Sequence, residues 1–417
     1  MRILYTLLIH LAMPFAFAVV LWRGWKDPGY RAGRAERFGY GARLPPGAGS
    51  LWLHAVSMGE VAAAAALLRQ LRRRFPGTAI VVTTATPTGR ARALALFGAG
   101  VDVRFLPYDT PGAVGRFLDA IQPRFGIIME TELWPNLFHE CARRKLRLVI
   151  ASARLSERSV RNYRRLGALI RDLFRGPVWI AAQTDVDAAR FVAIGADPAR
   201  TAVIGNVKFD LEIDAEVTAR GRALRASLGA GRPVWVAGST HEGEEEQVLD
   251  AHRDVLDRRP DALLVLVPRH PARFDAVAAL LARRGVNFVR RSGGGAVDAA
   301  TQVLLVDSVG ELLPFYAAAD LAFVGGSLVP IGGHNLLEPA ALAVPVLTGP
   351  SDFNGREIAA LLLREGGSLR VGDAGELGAS IVALSADPAR RRRMGEAARA
   401  VVEGNRGSVA RLIALLD

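Results

Sequence analysis

A chain of 417 residues, half of them hydrophobic and only 7% aromatic, is too long for one ordinary core and too apolar to be disordered or fibrous. Lysine and arginine exceed aspartate and glutamate by 53 to 41, a net +12 that calls for an anionic partner; no nucleic-acid-binding motif accompanies it, which leaves a membrane surface. The single cysteine, Cys141, excludes a disulfide framework and a cysteine metal site, and fits a reducing compartment.

Between Arg2 and Arg23 the run ILYTLLIHLAMPFAFAVVLW holds no formally charged residue and would be about 30 Å long as a helix, enough to cross a bilayer. The flank that follows carries Arg23, Lys26, Arg31, Arg34, Arg37 and Arg43 against Asp27 and Glu36, so the positive-inside rule sets the remaining chain on the cytoplasmic side. An uncleaved anchor over residues 1–22 is favoured over a cleaved signal peptide, whose small-residue cleavage pattern is missing. Pro14 and His10 leave room for a helix lying in the membrane plane instead.

After a Gly/Pro-rich spacer over 41–50, short apolar runs alternate with helical patterns. Strands are expected at 51–56, 79–84, 101–107, 125–130, 146–153, 178–183 and 201–206, with helices over 60–74, 88–97 and 111–121. Residues 210–232 read as a connection with some helix. Strands resume at 233–239, 263–269, 287–291, 303–308, 321–326 and 345–349, and the stretch from Asp387 is helical. The alternation predicts two α/β, Rossmann-like domains, 23–210 and 211–417, each a parallel sheet covered on both faces, with the last helix able to pack back on the first domain. Facing each other across a cleft, such domains would bind ligands at the carboxyl ends of their strands.

In SMGE, at the end of the first strand, Ser57 and Glu60 match a capping box; the same place suits a catalytic base, and both readings stay open. METELWPN ends the fourth strand with Glu130 and Glu132. On an extended segment these point the same way and repel, unless a cation, a substrate hydroxyl or a protonation change separates them. Arg154, Arg158, Arg161, Arg164 and Arg165 form either a solvated face or a seat for lipid phosphates, and Lys208 either a surface charge or a partner for a leaving group.

GSTHEGEEE (238–246) offers backbone amides near Ser239 and Thr240 as an anion seat, whereas His241 and its acidic neighbours lack the spacing of a metal motif, so no metal is expected. Arg269 and His270 close the next strand, the arginine suited to a phosphate or a base edge. In GGSLVPIGGHNLLEP (325–339), glycines 325, 326, 332 and 333 let the backbone approach a bound group. Unpaired N–H groups and the helix dipole from Asn335 onward favour a phosphate there. Glu338 would accept from ribose hydroxyls, or Asn335 and Glu338 only cap the helix.

HAVSMGE, METELWPN, ASARLS, GNVKFD, GSTHEGEE, LVPRHPARF and FVGGSLVPIGGHNLLEPAA, followed by PVLTGP, run in order along the chain and resemble the 3-deoxy-D-manno-octulosonic acid (Kdo) transferase family of lipid A-modifying enzymes. The resemblance implies a GT-B glycosyltransferase that moves Kdo from CMP-Kdo, with inversion, to a tetra-acylated disaccharide lipid A precursor at the cytoplasmic face of the inner membrane. It implies no cofactor beyond the donor substrate, and an anionic membrane surface as a further partner. It makes Glu60 the general base and Glu130 and Lys208 supports of the transition state. CMP would be held by Pro268 and Arg269, by Val309, Gly310 and Glu311, and by Asn335, Leu336, Leu337 and Glu338. Gly355 in DFNG stands where the family usually has an aromatic residue. The helix dipole would lower the Glu60 pKa and weaken it as a base; burial and neighbouring acid are expected to offset this. A UDP-sugar transferase or epimerase on the same fold, and a non-catalytic lipid A-binding protein, are the competing readings.

Overall fold

The computed structural model describes every residue except Pro46, Ala48, Ala230 and Asp417, so those members of the expected spacer and connection lie outside the described residues. The chain forms two compact units, Met1–Asp210 with the residues from Arg406 onward, and Leu211–Asn405. The second unit therefore ends at Asn405, and the last helix belongs to the first unit. Asp210 accepts hydrogen bonds from the backbone of Gly407 (2.6 Å) and Val409 (2.7 Å), and Arg411 Nε donates to the Ile204 carbonyl at 2.8 Å, which ties the helix Ser408–Ala414 to the first unit.

Seven parallel strands form the first sheet: β1 (Ser50–His54), β2 (Ala79–Thr84), β3 (Asp102–Phe105), β4 (Pro123–Met129), β5 (Arg147–Ala153), β6 (Val178–Ala182) and β7 (Thr201–Val203), in the order β3-β2-β1-β4-β5-β6-β7. Their near-continuous apolar runs bury both faces under helices, as parallel sheets require: Leu51, Trp52 and Leu53 are all at most 1% exposed. Trp52 explains the glycine in the neighbouring strand, since a Cβ at Gly126 would lie 2.6 Å from its indole ring.

The second unit repeats the plan with β8 (Val234–Thr240), β9 (Leu263–Pro268), β10 (Phe288–Arg290), β11 (Val303–Leu305), β12 (Leu321–Val324), β13 (Val346–Thr348) and β14 (Ser368–Arg370), in the order β10-β11-β9-β8-β12-β13-β14. The sequence misses only β14, a three-residue edge strand without an apolar run. The connection over 210–232 contains a full helix, Ala215–Leu228, seated where a Cβ at Gly221 would meet Ala317 at 2.4 Å. Strand order reverses between β1 and β4 and between β8 and β12, the points at which doubly wound sheets open a crevice at their carboxyl ends.

Helix α1 (Arg2–Lys26) takes in the whole apolar run, and Pro14 sits inside it. It lies along the first unit: Arg2, Tyr5, Thr6, Ile9, Met13, Phe17 and Val20 are half-buried and Gly24 is buried, a single face repeating every three or four residues. Tyr5 donates to Asp109 and Thr6 to Asn136, both at 2.9 Å, and the Phe17 ring meets Phe38 edge-on at 5.0 Å. The opposite face, with Ile3, Leu7, Leu11, Phe15 and Trp22 all more than 60% exposed, has no protein over it among the described residues.

Candidate active site

In the first unit the strand ends at the β1/β4 switch point converge on a charged cluster. Helix α2 (Met58–Arg74) starts directly after β1, with Ser57 as its N-cap. Ser57 Oγ receives the Glu60 N–H at 3.3 Å and donates to Glu60 Oε1 at 3.0 Å, while Val56 N–H donates to Glu60 Oε2 at 2.9 Å. The capping box therefore forms, and it orients the carboxylate rather than sending it to solvent. Burial raises the Glu60 pKa, and the Glu130 charge adds to it, against the lowering effect of the Val56 and Ser57 hydrogen bonds. The dipole argument for a low pKa is overridden by desolvation. Gly59 has open space around it, only Ser57 Oγ lying within 4 Å of a Cβ built there.

Glu130 follows β4 with φ at +56°, a left-handed conformation, which turns it out of the extended alternation. Lys208 Nζ donates to one of its oxygens at 2.8 Å and Arg154 Nε to the other at 3.0 Å. Burial pushes its pKa up, but the two cations outweigh that and hold it below the usual carboxylate range. The expectation that Glu130 and Glu132 point alike is corrected by this backbone turn. Glu132, like Glu130, bears on the Glu60 charge; burial and that charge push it up to about 7. Two of the three routes for separating the like charges are thus in use, cations at Glu130 and a protonation change at Glu132.

Lys208 sits in the short helical turn Val207–Asp210, whose start is pinned by Asn206: its side chain receives the Lys208 N–H at 3.0 Å and donates to Gln183 at 3.1 Å. Arg158, Arg161, Arg164 and Arg165 lie exposed on the helix Glu157–Leu166, of which Val160 alone is buried. The dense basic segment therefore splits into Arg154, drawn to Glu130, and an outward cationic face.

In the second unit the glycine-rich loop after β12 departs from the expectation. The N–H groups of Gly326, Ser327 and Leu328 all donate to the Glu244 carboxylate, at 2.7, 3.0 and 2.9 Å. Glu244 is fully buried, so a side chain of the protein satisfies the amides that follow Gly325, ahead of the stretch from Asn335 onward where a phosphate is expected. Gly325 is required by close approach, since a Cβ there would lie 2.7 Å from the Ser239 carbonyl. The helix at Asn335 is only Leu337–Ala341, too short for a strong dipole. Its N-cap is Leu336, and Asn335 lies one residue earlier, its Oδ1 accepting from Leu337 N–H at 3.1 Å and its Nδ2 donating to Glu338 at 3.2 Å.

The remaining donor-site candidates are scattered more widely. Pro268 ends β9, and the Arg269 N–H is tied to the Thr240 carbonyl at 2.9 Å. Val309 is 78% exposed, and Gly310 has φ at +89°. Glu311 is engaged by Arg291 (3.2 Å), Arg220 (3.5 Å) and the Ser308 hydroxyl, which hold its carboxyl below the usual range. Leu336 and Leu337 are buried. Gly355, without protein atoms near its virtual Cβ, caps the helix Arg356–Arg364. Sequence reasoning did not single out Glu244 or His334. Glu244 is one acid in the run Glu242–Glu246, and nothing local marks which of them turns inward.

Residues 32–211 match the family described as 3-deoxy-D-manno-octulosonic-acid transferase (kdotransferase). Over its whole length the chain is 42% identical to the 3-deoxy-D-manno-octulosonic acid transferase of Haemophilus influenzae, covering 98% of that relative. Its identity to the Bordetella pertussis transferase of the same name is 39%, with 100% of this chain and 99% of the relative covered. Among solved structures, the UDP-GlcNAc 2-epimerase of Neisseria meningitidis matches with a TM-score of 0.59 at 14% identity, over 88% of this chain and 99% of that one, a likeness of fold. Two seven-stranded parallel α/β units of this kind make a GT-B-like fold. With the whole chain aligned to curated Kdo transferases, it belongs to the 3-deoxy-D-manno-octulosonic acid transferase family and is a glycosyltransferase.

Proposed function

We propose that this Kdo transferase takes the sugar from CMP-Kdo and attaches it, with inversion, to a tetra-acylated disaccharide lipid A precursor. The observation that carries the reading is Glu60: a half-buried carboxylate with a raised pKa, oriented by Ser57 and Val56 beside the Glu130 charge. A base must hold a free carboxylate and still want the proton, and a raised pKa meets the second need. Glu60 takes the proton of the acceptor hydroxyl as that oxygen attacks the anomeric carbon. Lys208 and Arg154 hold Glu130 ionised, and this anion supports the positive charge that grows on the sugar ring as the bond to the leaving group lengthens. The cytidylate departs as an anion and needs no acid. Pro268, Arg269, Val309, Gly310, Glu311 and the segment Asn335–Glu338 hold the donor, with neither cofactor nor metal required.

The acceptor's acyl chains call for a membrane, and α1 supplies an apolar face for one: the helix has a mean hydropathy of 2.1 over its most apolar window. Its docking along the first unit favours a helix lying in the plane of the inner membrane, on the cytoplasmic side, over one crossing it. The exposed arginines of the helix Glu157–Leu166 suit anionic lipid headgroups.

Glu60→Gln tests the chemistry. Glutamine keeps the capping box, so thermal stability should hold, while the rate of Kdo transfer to the lipid acceptor, followed by product mass, should drop by about 10²–10⁴-fold. Transfer at the wild-type rate would remove Glu60 from the mechanism.

A further inference from the structure

Three of the chain's seven histidines meet in the second unit. His241 follows β8, His270 follows β9, and His334 lies in the loop after β12, so each stands at a carboxyl strand end around the switch point. His241 Nε2 and His334 Nε2 are 2.7 Å apart, with ring planes 6° and centroids 5.0 Å apart. The nitrogen separation is shorter than any stacking distance. The rings therefore meet edge to edge in one plane and share a proton. His270 packs edge-on against His241, with centroids 5.2 Å apart and planes at 77°. The other ring nitrogens of the three make no hydrogen bond among the described residues.

The charges bearing on these rings are the guanidinium groups of Arg269 and Arg273. The nearby acids are committed elsewhere: Glu244 to the N–H groups of the 326–328 loop, and Glu242 and Glu245 to Arg273. Burial and the cations hold all three imidazoles below their ordinary pKa, His334 at about 3. The cluster stands beside two guanidinium groups, of which Arg273 is ion-paired with Glu242 and Glu245, and is flanked in sequence by Arg269 and Asn335.

We propose that His241, His270 and His334 form a proton-coupled seat for the leaving phosphate of the nucleotide donor. The inference rests on the CMP-Kdo reading above. When the bond between the anomeric carbon and the phosphate oxygen breaks, its electron pair stays on that oxygen, and the phosphodiester monoanion becomes a monoester dianion. The added negative charge strengthens the imidazoles as bases, and the cluster takes one proton from solvent water. The acceptor's hydroxyl proton goes separately to Glu60, so the two proton movements balance independently.

Calorimetric titration of the full chain with CMP near pH 7.5, in buffers of different ionisation enthalpy, reads the proton count directly; at that pH the free phosphate is already largely a dianion. The expected result is uptake of about one proton per CMP and none with cytidine, which lacks the phosphate. His270→Gln and His334→Gln should each reduce the uptake and weaken CMP about tenfold or more while leaving cytidine affinity unchanged. His270 is exposed, so its variant tests the seat without risk to the fold. CMP binding without proton uptake, or uptake intact in both variants, overturns the seat. A wild-type chain that binds UMP as tightly as CMP, or neither, overturns the donor reading instead.

Discussion

Lys208 Nζ and Glu130 Oε1 stand 2.8 Å apart although 78 residues separate them in sequence, and Arg154 closes the other side of the same carboxylate. Both partners of the Lys208–Glu130 pair are largely shielded, with side-chain exposures of 27% and 14%. A shielded pair is costly to break from one side, and without Lys208 the Glu130 carboxylate keeps only Arg154 as a cationic partner. Lys208→Met should lower stability by about 1–3 kcal/mol. Glu130→Gln/Lys208→Met should cost less than the sum of the single changes. Strict additivity in a denaturant-unfolding cycle would mean that the pair does not act as a unit.

Glu132 sets a pH dependence of stability. Its folded-state pKa rises from 4.5 to about 7, so the folded protein binds that proton more tightly than the unfolded chain. The stabilisation is complete below the unfolded value and is lost as pH rises through about 7. Glu132→Gln cannot titrate. Between about pH 5 and pH 8 the wild type should lose on the order of 2 kcal/mol relative to the variant, allowing for partial solvent screening. Parallel stability curves for the two proteins would contradict the shift.

Glu244 is expected to be structural in the strict sense. Glu244→Ala removes the acceptor of three N–H groups in a buried loop, and each orphaned donor costs about 1–3 kcal/mol. A loss of at least about 3 kcal/mol in thermal or chemical unfolding is expected, with exchange protection at Gly326, Ser327 and Leu328 falling first. Unchanged protection there would mean another group fills the nest.

The two placements of α1 put its first turns on different sides of the membrane. In Ile3→Cys the new thiol is on the exposed face, and the native Cys141 is 1% exposed, so background labelling is low. A helix lying in the plane keeps residue 3 on the side of the first unit. A membrane-impermeant maleimide added to spheroplasts should therefore leave it unmodified until the cells are opened. Labelling from outside would establish a crossing helix and mean that the Tyr5–Asp109 and Thr6–Asn136 bonds do not persist in the membrane.

Strand positions, the parallel character of both sheets and the cap at Ser57 are local properties. Apolar runs of four to seven residues and side chains three positions apart carry their own signal, so the chain by itself determined them. The long apolar run that became α1 is legible for the same reason. Whether that helix stands off the protein or lies on it depends on Asp109 and Asn136, more than a hundred residues away, and only the tertiary structure decided it. The same holds for every charge at the site. Glu130 finds Lys208 because β4 and the turn after β7 end at the same edge and φ at 130 is positive; Glu244 fills the glycine nest because β8 and β12 are neighbours. Strand order brings such partners together, and neither residue type nor spacing along the chain encodes it.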